Sequence, residues 1–348
     1  MKPKLYHLSH IDLDGYGCQY LTSQAFDEVS CYNANYGPEV GARLREIIKD
    51  IIKDENQSNA IILITDLNLT PKEANWIEKE ARALGAGLQL LDHHITGEKT
   101  ALNHAEWYHL DINHCGTWLT YKWLQKKYDF DAKNEFKEIV ETINAVDMWH
   151  SNSDLFEYGK VMMSMISSAK EINRAMFPAE DTAFKLSLID HARSMLGNSD
   201  AHIALDDAAH RLKKQFFIVK KNNTKDNLVA SYITDLLSSQ KERFTITYQG
   251  YKGVLGYNIG NTSIIGNTFL VQNPDYNFYM DVNYRGNFSL RGNDTLDLSI
   301  MAAQVGNGGG HKNASGGKIE EYQDSFIYEE VKNFVQAYLN DKAFENKA

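Results

Sequence analysis

The chain reads as an α/β protein of two domains: an N-terminal, mainly parallel sheet flanked by helices, a helical connector, and a smaller C-terminal α/β domain. Three observations predict this. At 348 residues the chain exceeds the usual size of a single domain. Its first part alternates β-rich apolar runs with stretches of helical periodicity, the succession that builds a parallel sheet with helical crossovers. Past Asn227 the composition turns towards strands and glycines. The boundaries that follow are 1–155, 156–226 and 227–348.

The elements take their places in order. Residues 5–9 read as a strand, 16–26 as a helix and 29–32 as a short strand. Between 40 and 53, Val40, Leu44, Ile47, Ile48, Ile51 and Ile52 fall at helical spacing. The run 60–65 is β-rich. Thr70 as N-cap and Pro71 at the first helical position start a helix through Leu84, and Gly85 and Gly87 close it before the apolar run 88–91. Helices are expected near 117–128 and 135–146. Residues 154–221 are helical in pattern, over 162–169, 182–195 and 201–219, and Met162, Met163 and Met165 read there as packing residues. Two strands, 278–284 and 287–291, flank Arg285-Gly286 as a β-hairpin. A helix over 297–305, a glycine-rich loop over 306–317 and a last helix over 329–339 complete the chain.

Composition excludes several classes of function. An apolar fraction of 43%, with 11% aromatic, suffices for ordinary cores. No apolar stretch approaches the roughly 18 residues of a membrane span. The start of the chain lacks the marks of a secretory signal. Cys18, Cys31 and Cys115 show no CxxC spacing, which favours neither a disulfide framework nor a thiolate zinc site. A reduced cytoplasm is the expected location. Thirty-six basic against 46 acidic residues give a net charge of −10. A protein that tracks long nucleic acid needs basic surface for phosphate neutralisation. No extended nucleic-acid tract is therefore expected; a short oligonucleotide, dinucleotide or nucleotide phosphate remains open. A monomer or homodimer fits equally.

Metal-type side chains gather at strand ends. His10, Asp12 and Asp14 follow the first strand on alternate positions, which in extended backbone share a face. Gly15 then permits a tight turn. Asp66 follows the run 60–65, and Asp92-His93-His94 follows 88–91. Open α/β sheets bind ligands outside the carboxyl ends of their strands. Singly, each residue has an ordinary reading: His10 as a satisfied histidine, the Asp-x-Asp-Gly pair as a turn or helix cap, Asp66 and Asp147 as caps. Their conjunction on three strands reads as a metal site.

HIDLDG at 10–15, Asp66 in ITDLN, LLDHH at 90–94 and Asp147 in AVDMW resemble the motifs of the DHH phosphoesterase superfamily. SLRGN at 289–293 and GNGGGHKNASGG at 306–317 resemble its DHHA1 domain. His10 at the head of the first motif is most similar to the nanoRNase branch, whose members degrade very short oligonucleotides. The resemblance implies two divalent ions, one on His10, Asp12 and Asp66 and the other on Asp14, Asp66, His93 and Asp147, with Asp66 bridging. Carboxylates and imidazoles suit Mn²⁺, with Mg²⁺ or Co²⁺ as substitutes. Asp92 would support a neighbouring histidine and His94 would face the phosphate. Thr117 opens a helix whose N-terminus could meet phosphate. Gly308, Gly309, Gly310, His311 and Arg291 would bind substrate in the second domain. The expected activity is phosphodiester hydrolysis in very short oligonucleotides or dinucleotides, with 3′-phosphoadenosine 5′-phosphate as a second substrate. The alternatives are a RecJ-type single-strand nuclease, an inorganic pyrophosphatase and a catalytically silent nucleotide-binding regulator.

Overall fold

The computed structural model describes residues 2–54, 59–197 and 200–345. The N-terminal pattern folds as β1 (Lys4–Ser9), α1 (Leu13–Ala25), β2 (Val29–Asn33), α2 (Pro38–Lys53), β3 (Ala60–Thr65), α3 (Pro71–Leu84), β4 (Gly87–Asp92), α4 (Glu98–Asn103) and β5 (Tyr108–Leu110). Helices α5 (Gly116–Tyr128), α6 (Lys137–Asp147), α7 (Phe156–Ser167), α8 (Pro178–Met195) and α9 (Ala201–Phe216) follow. The five strands form one sheet in the order β2-β1-β3-β4-β5, every pair parallel.

Local chemistry explains the elements. Thr70 and Glu73 cap α3 reciprocally, Pro71 sits in its first turn, and Gly85 ends it at φ 68°. On α2, Val40, Leu44, Ile47, Ile48 and Ile51 are buried, whereas Ile52 lies off the buried face and is exposed. That face joins Ala74, Ile77 and Ala81 of α3 over Leu8, Ile62, Ile64 and Leu90 of the sheet. Each fully buried aliphatic side chain contributes roughly 1.5–3 kcal/mol. The register sets the site: Ser9 pairs with Thr65, and Thr65 with Leu91. His10, Asp66 and Asp92 therefore emerge at one level. From β1 the chain goes to β2 on one side and then to β3 on the other, so β1 and β3 flank a topological switch point.

The chain divides into two compact units, Met1–Ala169 with Pro178–Lys213 and Lys170–Phe177 with Lys214–Ala348. The stretch read as a connector, 156–226, is thus distributed between both. In the first unit α8 packs against α1 and α7. There Lys185 Nζ lies 2.6 Å from both oxygens of buried Asp181, and the Tyr16 hydroxyl donates to Asp181 at 3.1 Å.

The second unit begins with α10 (Lys225–Ser239) and α11 (Lys241–Phe244), then β6 (Thr245–Tyr248), β7 (Tyr251–Tyr257), α12 (Thr262–Gln272), β8 (Phe278–Val282), β9 (Asn287–Gly292), α13 (Leu298–Gly306), β10 (Gly309–His311), β11 (Ala314–Lys318) and α14 (Tyr328–Glu345). Its six strands run in the order β10-β11-β9-β8-β7-β6, antiparallel except for β7 with β8. The chain past Asn227 does not turn directly to strands. Thr224 caps α10, and Leu228, Val229, Ile233 and Leu237 bury one helical face. The β8–β9 hairpin forms as expected, with Gly286 at φ 79° in its turn.

The stretch 306–317, expected as loop, supplies most of the hairpin β10–β11. A Cβ on Gly308 would collide with the Gly316 carbonyl oxygen, so its glycine serves close backbone approach. Asp281 on β8 is buried and accepts from the Ile259 N–H at 3.1 Å and the Thr262 hydroxyl at 3.5 Å, bracing the loop before α12.

Candidate metal centre

The side chains after β1 converge, though not by strand alternation. Extended structure ends at Ser9. Asp12 caps α1, accepting from the Gly15 N–H at 3.0 Å, and Asp14 lies in the helix's first turn. The turn brings the chain back on itself so closely that a Cβ on Gly15 would collide with the His10 backbone. Asp12 is thus a helix cap and a site residue together.

Asp66 stands at the middle. It follows β3 in left-handed backbone at φ 53°, unusual for a residue with a side chain, and is 2% exposed where a strand-end cap would be open. His10 Nδ1 lies 2.8 Å from Asp12 Oδ2 and 3.7 Å from Asp66 Oδ2. His93 Nε2 lies 3.2 Å from Asp66 Oδ1, 3.6 Å from Asp147 Oδ2 and 3.8 Å from Asp14 Oδ2. The sequence-derived set His10, Asp12, Asp14, Asp66, His93 and Asp147 is therefore gathered in one place.

Helix α5 fixes Asp14. Its carboxylate accepts from the Gly116 N–H at 2.6 Å and the Thr117 N–H at 2.7 Å, and the Thr117 hydroxyl donates to the Asp14 carbonyl at 2.8 Å. The anion expected at this helix N-terminus is a side chain of the protein itself. This corrects Thr117 as a phosphate-binding residue: it is buried and its donors are taken. Between Asp92 and the neighbouring histidines, the contact falls on His94. His94 Nδ1 donates to Asp92 Oδ1 at 2.7 Å, and the Tyr108 hydroxyl donates to Asp92 Oδ2 at 2.9 Å.

Electrostatics fit a cation. Burial, then the charges of Asp14 and Asp12, push Asp66 well above the usual carboxylate range. The same causes push Asp147 up to about 8. Burial lowers the His93 pKa and favours its neutral, metal-ligating form. At His94 burial works downward, but the hydrogen bond and charge of Asp92 outweigh it and the net shift is upward. Among the described residues, the ion pairs of Asp12, Asp14, Asp66 and Asp147 are all with histidines. His10 Nδ1 and Asp66 Oδ2, both buried, have no hydrogen-bond partner despite their close neighbours. Buried polar atoms left so are costly, and a metal ion between them would satisfy both.

Ligand atoms of His10, Asp12 and Asp66 lie within 4.8 Å of one another, as do those of Asp66, His93 and His94, and those of Asp14, Cys115 and Asp147. The acidic and histidine clusters could therefore hold divalent metal, and Asp66 belongs to two of them. Cys115, whose spacing in the sequence did not favour a thiolate site, lies in the third cluster; burial, then the charge of Asp14, pushes its thiol well above the usual range, away from the thiolate a metal would take.

Tyr36 went unnoticed in the sequence. Its hydroxyl lies 2.8 Å from His94 Nε2 and its ring 4.6 Å from that of His10. The only sequence signal was position, just past the carboxyl end of β2.

In the second unit, Arg291, Ala314 and His311 form one rung across β9, β11 and β10. Directly paired residues face the same side of a sheet, so Arg291 and His311 share a face with only the Ala314 methyl group between them. Arg291 donates to Ser263 Oγ and, at 2.6 Å, to its neighbour's carbonyl, Leu290 O. Gly309, Gly310 and His311 are exposed on the edge strand and Gly308 precedes them.

No family model matches the chain. It is 42% identical over 347 residues, 97% of its own length and 99% of the relative's, to a 3′,5′-cyclic-nucleotide phosphodiesterase of Helicobacter pylori (strain ATCC 700392 / 26695). It is 26% identical over 347 residues, 93% of its length and 76% of the relative's, to the oligoribonuclease NrnB of Bacillus subtilis (strain 168). Among solved structures it matches the crystal structure of an uncharacterized protein from Helicobacter pylori G27, with a TM-score of 0.90 and 41% identity, over 97% of this chain and 99% of that one.

Proposed function

Because this chain belongs to the DHH/DHHA1 phosphoesterase superfamily and is a nucleotide phosphodiesterase, we propose that it uses a two-ion centre, Mn²⁺ by donor chemistry, to hydrolyse very short oligonucleotides or dinucleotides to mononucleotides. The observation that carries the reading is Asp66, buried, shared by two ligand clusters and with one oxygen that accepts no hydrogen bond. His10 and Asp12 would hold one ion with Asp66; Asp14, His93 and Asp147 would hold the other. Divalent ions bound there would polarise the phosphoryl oxygens and make the attacking water more acidic.

The protein's own groups do the rest. The α5 amides hold Asp14 in place, so its position needs no rearrangement during reaction. Asp92 orients His94, whose Nε2 lies 2.8 Å from the Tyr36 hydroxyl and would exchange that contact to donate to an oxygen that gains charge as the bond to phosphorus breaks. In the second unit Arg291 and His311 would bind phosphate, with the exposed Gly309 and Gly310 beside them. A second reading, 3′,5′-cyclic nucleotides, is favoured by the name of the 42%-identical relative. It needs the same centre and no long groove.

The test is hydrolysis by the Mn²⁺-loaded protein of a dinucleotide, a five-nucleotide RNA, a long single strand, 3′,5′-cyclic AMP and pyrophosphate. Turnover is expected on the dinucleotide and five-mer, with little on the long strand. A preference for the long strand or for pyrophosphate overturns the proposal, and cyclic AMP as the best substrate selects the second reading. Asp66→Asn is expected to lower kcat by more than about a hundredfold, since even an outer partner of a ligand is worth 10–100-fold.

A further inference from the structure

Of the five tryptophans, Trp149 alone is exposed, at 63%. It follows Asp147 by two residues, about 7 Å of chain at most, and the Asp147 carboxylate lies 3.6 Å from His93 Nε2. Its position is conformationally unfavourable as well. Where α6 ends, the His150 N–H bonds back to the Ala145 carbonyl at 2.7 Å and the Trp149 N–H to Val146 at 3.3 Å. This closure puts Trp149 in left-handed backbone at φ 55°. Helix ends of this kind favour glycine, and a bulky residue there is an outlier.

A large indole thus stands in a place that strains its backbone and wets its rings. Packing gives little in return: Phe156 lies perpendicular to it at 5.1 Å and 84°, and most of the side chain stays open. Trp118, on a helix that also serves the site, differs. His114 stacks on it at 3.7 Å and 14°, and Lys122 lies 5.1 Å from the ring centroid. Trp118 has company on its ring, and Trp149 offers its own.

We infer that Trp149 is a nucleobase platform, on which the base next to the scissile phosphate stacks while that phosphate sits at the metal centre. The inference rests on the proposed nucleotide phosphodiesterase reading and adds a base-binding subsite to it. Base–aromatic stacking tolerates any sequence, because every base has a π-face. A platform of this kind would accept different short nucleotides without reading a base edge.

Full-length Mn²⁺-loaded protein is titrated calorimetrically with adenosine 5′-monophosphate and with ribose 5-phosphate, which lacks the base. Wild type is expected to bind the nucleotide about tenfold more tightly or better, the scale of one stacked base. Trp149→Gly should erase that margin and leave ribose 5-phosphate binding unchanged, and Trp149→Phe should keep most of it. The urea midpoint of Trp149→Gly should equal or exceed that of wild type, because glycine relieves the left-handed backbone. A full margin in Trp149→Gly overturns the inference. So does a lowered midpoint with loss of both ligands, which would make the tryptophan a structural clamp. A wild type that binds both ligands equally overturns the platform alone, whereas one that binds neither overturns the nucleotide reading beneath it.

Discussion

Asp281 and Asp66 are both buried carboxylates, but their surroundings differ. Asp281 is answered by the Ile259 N–H and the Thr262 hydroxyl, and burial still pushes it up to about 7. Its folded pKa lies above the ordinary value of 3.8, so the fold favours the protonated form. The stability this contributes is complete below about pH 4 and is lost as pH rises through about 7. Asp281→Asn should remove that slope: between pH 4 and 8 wild type is expected to lose up to a few kcal/mol relative to the variant in denaturant titrations. Parallel pH profiles for the two proteins would contradict this. Asp66 keeps one oxygen that accepts no hydrogen bond, in the middle of the proposed ligand set. The proposed ligand residues were legible because metal-type side chains close three strand-like runs, although each alone reads equally as a cap or turn residue. Tyr36 and Tyr108 were not, because their roles come from tertiary approach to His94 and Asp92, which no local pattern encodes.

Among the elements, α5 has the clearest function: it begins where Asp14 ends. Alanine is a better helix former than glycine by about 1 kcal/mol. Yet a Cβ on Gly116 would sit 2.9 Å from both Asp14 Oδ2 and the Asp66 Cβ. Gly116→Ala is therefore expected to weaken Mn²⁺ binding at least about tenfold, the lower range for disturbing a ligand's support. The denaturation midpoint of the metal-free protein should change little. Unchanged Mn²⁺ affinity in a calorimetric titration would mean that the amides do not set the ligand's place. Helix α3 was readable from Thr70, Pro71 and Gly85, because capping is local chemistry. Helix α10 was hidden by the asparagines around its start, although Leu228, Val229, Ile233 and Leu237 follow helical spacing. Strand β5, three residues long, is too short to show a period. The glycines of 306–317 misled for a different reason: close pairing of strands requires them as much as a loop does.

At the scale of the molecule, each of the two units has its own sheet, and every proposed metal ligand belongs to the first. The succession of strands and helices made that parallel sheet legible, since only crossovers can join parallel neighbours. The division of the helical middle was not legible, because amphipathic helices carry no mark of which core they will join. The ligands come from the β1–α1 turn, the first turn of α1, the ends of β3 and β4 and the last residue of α6. Such distant pieces meet only after most of the sheet has formed, and this has a kinetic consequence. A transition state that lacks the assembled ligand set cannot be stabilised by the ion. Mn²⁺ is expected to slow unfolding in stopped-flow denaturant jumps while the refolding rate stays constant, so the ion acts on the lifetime of the native state. Refolding accelerated by Mn²⁺ would place assembly of the ligands before the barrier. The spread of ligands along the chain would then make the loaded protein durable by its slow departure from the native state, with its arrival there unhurried by metal.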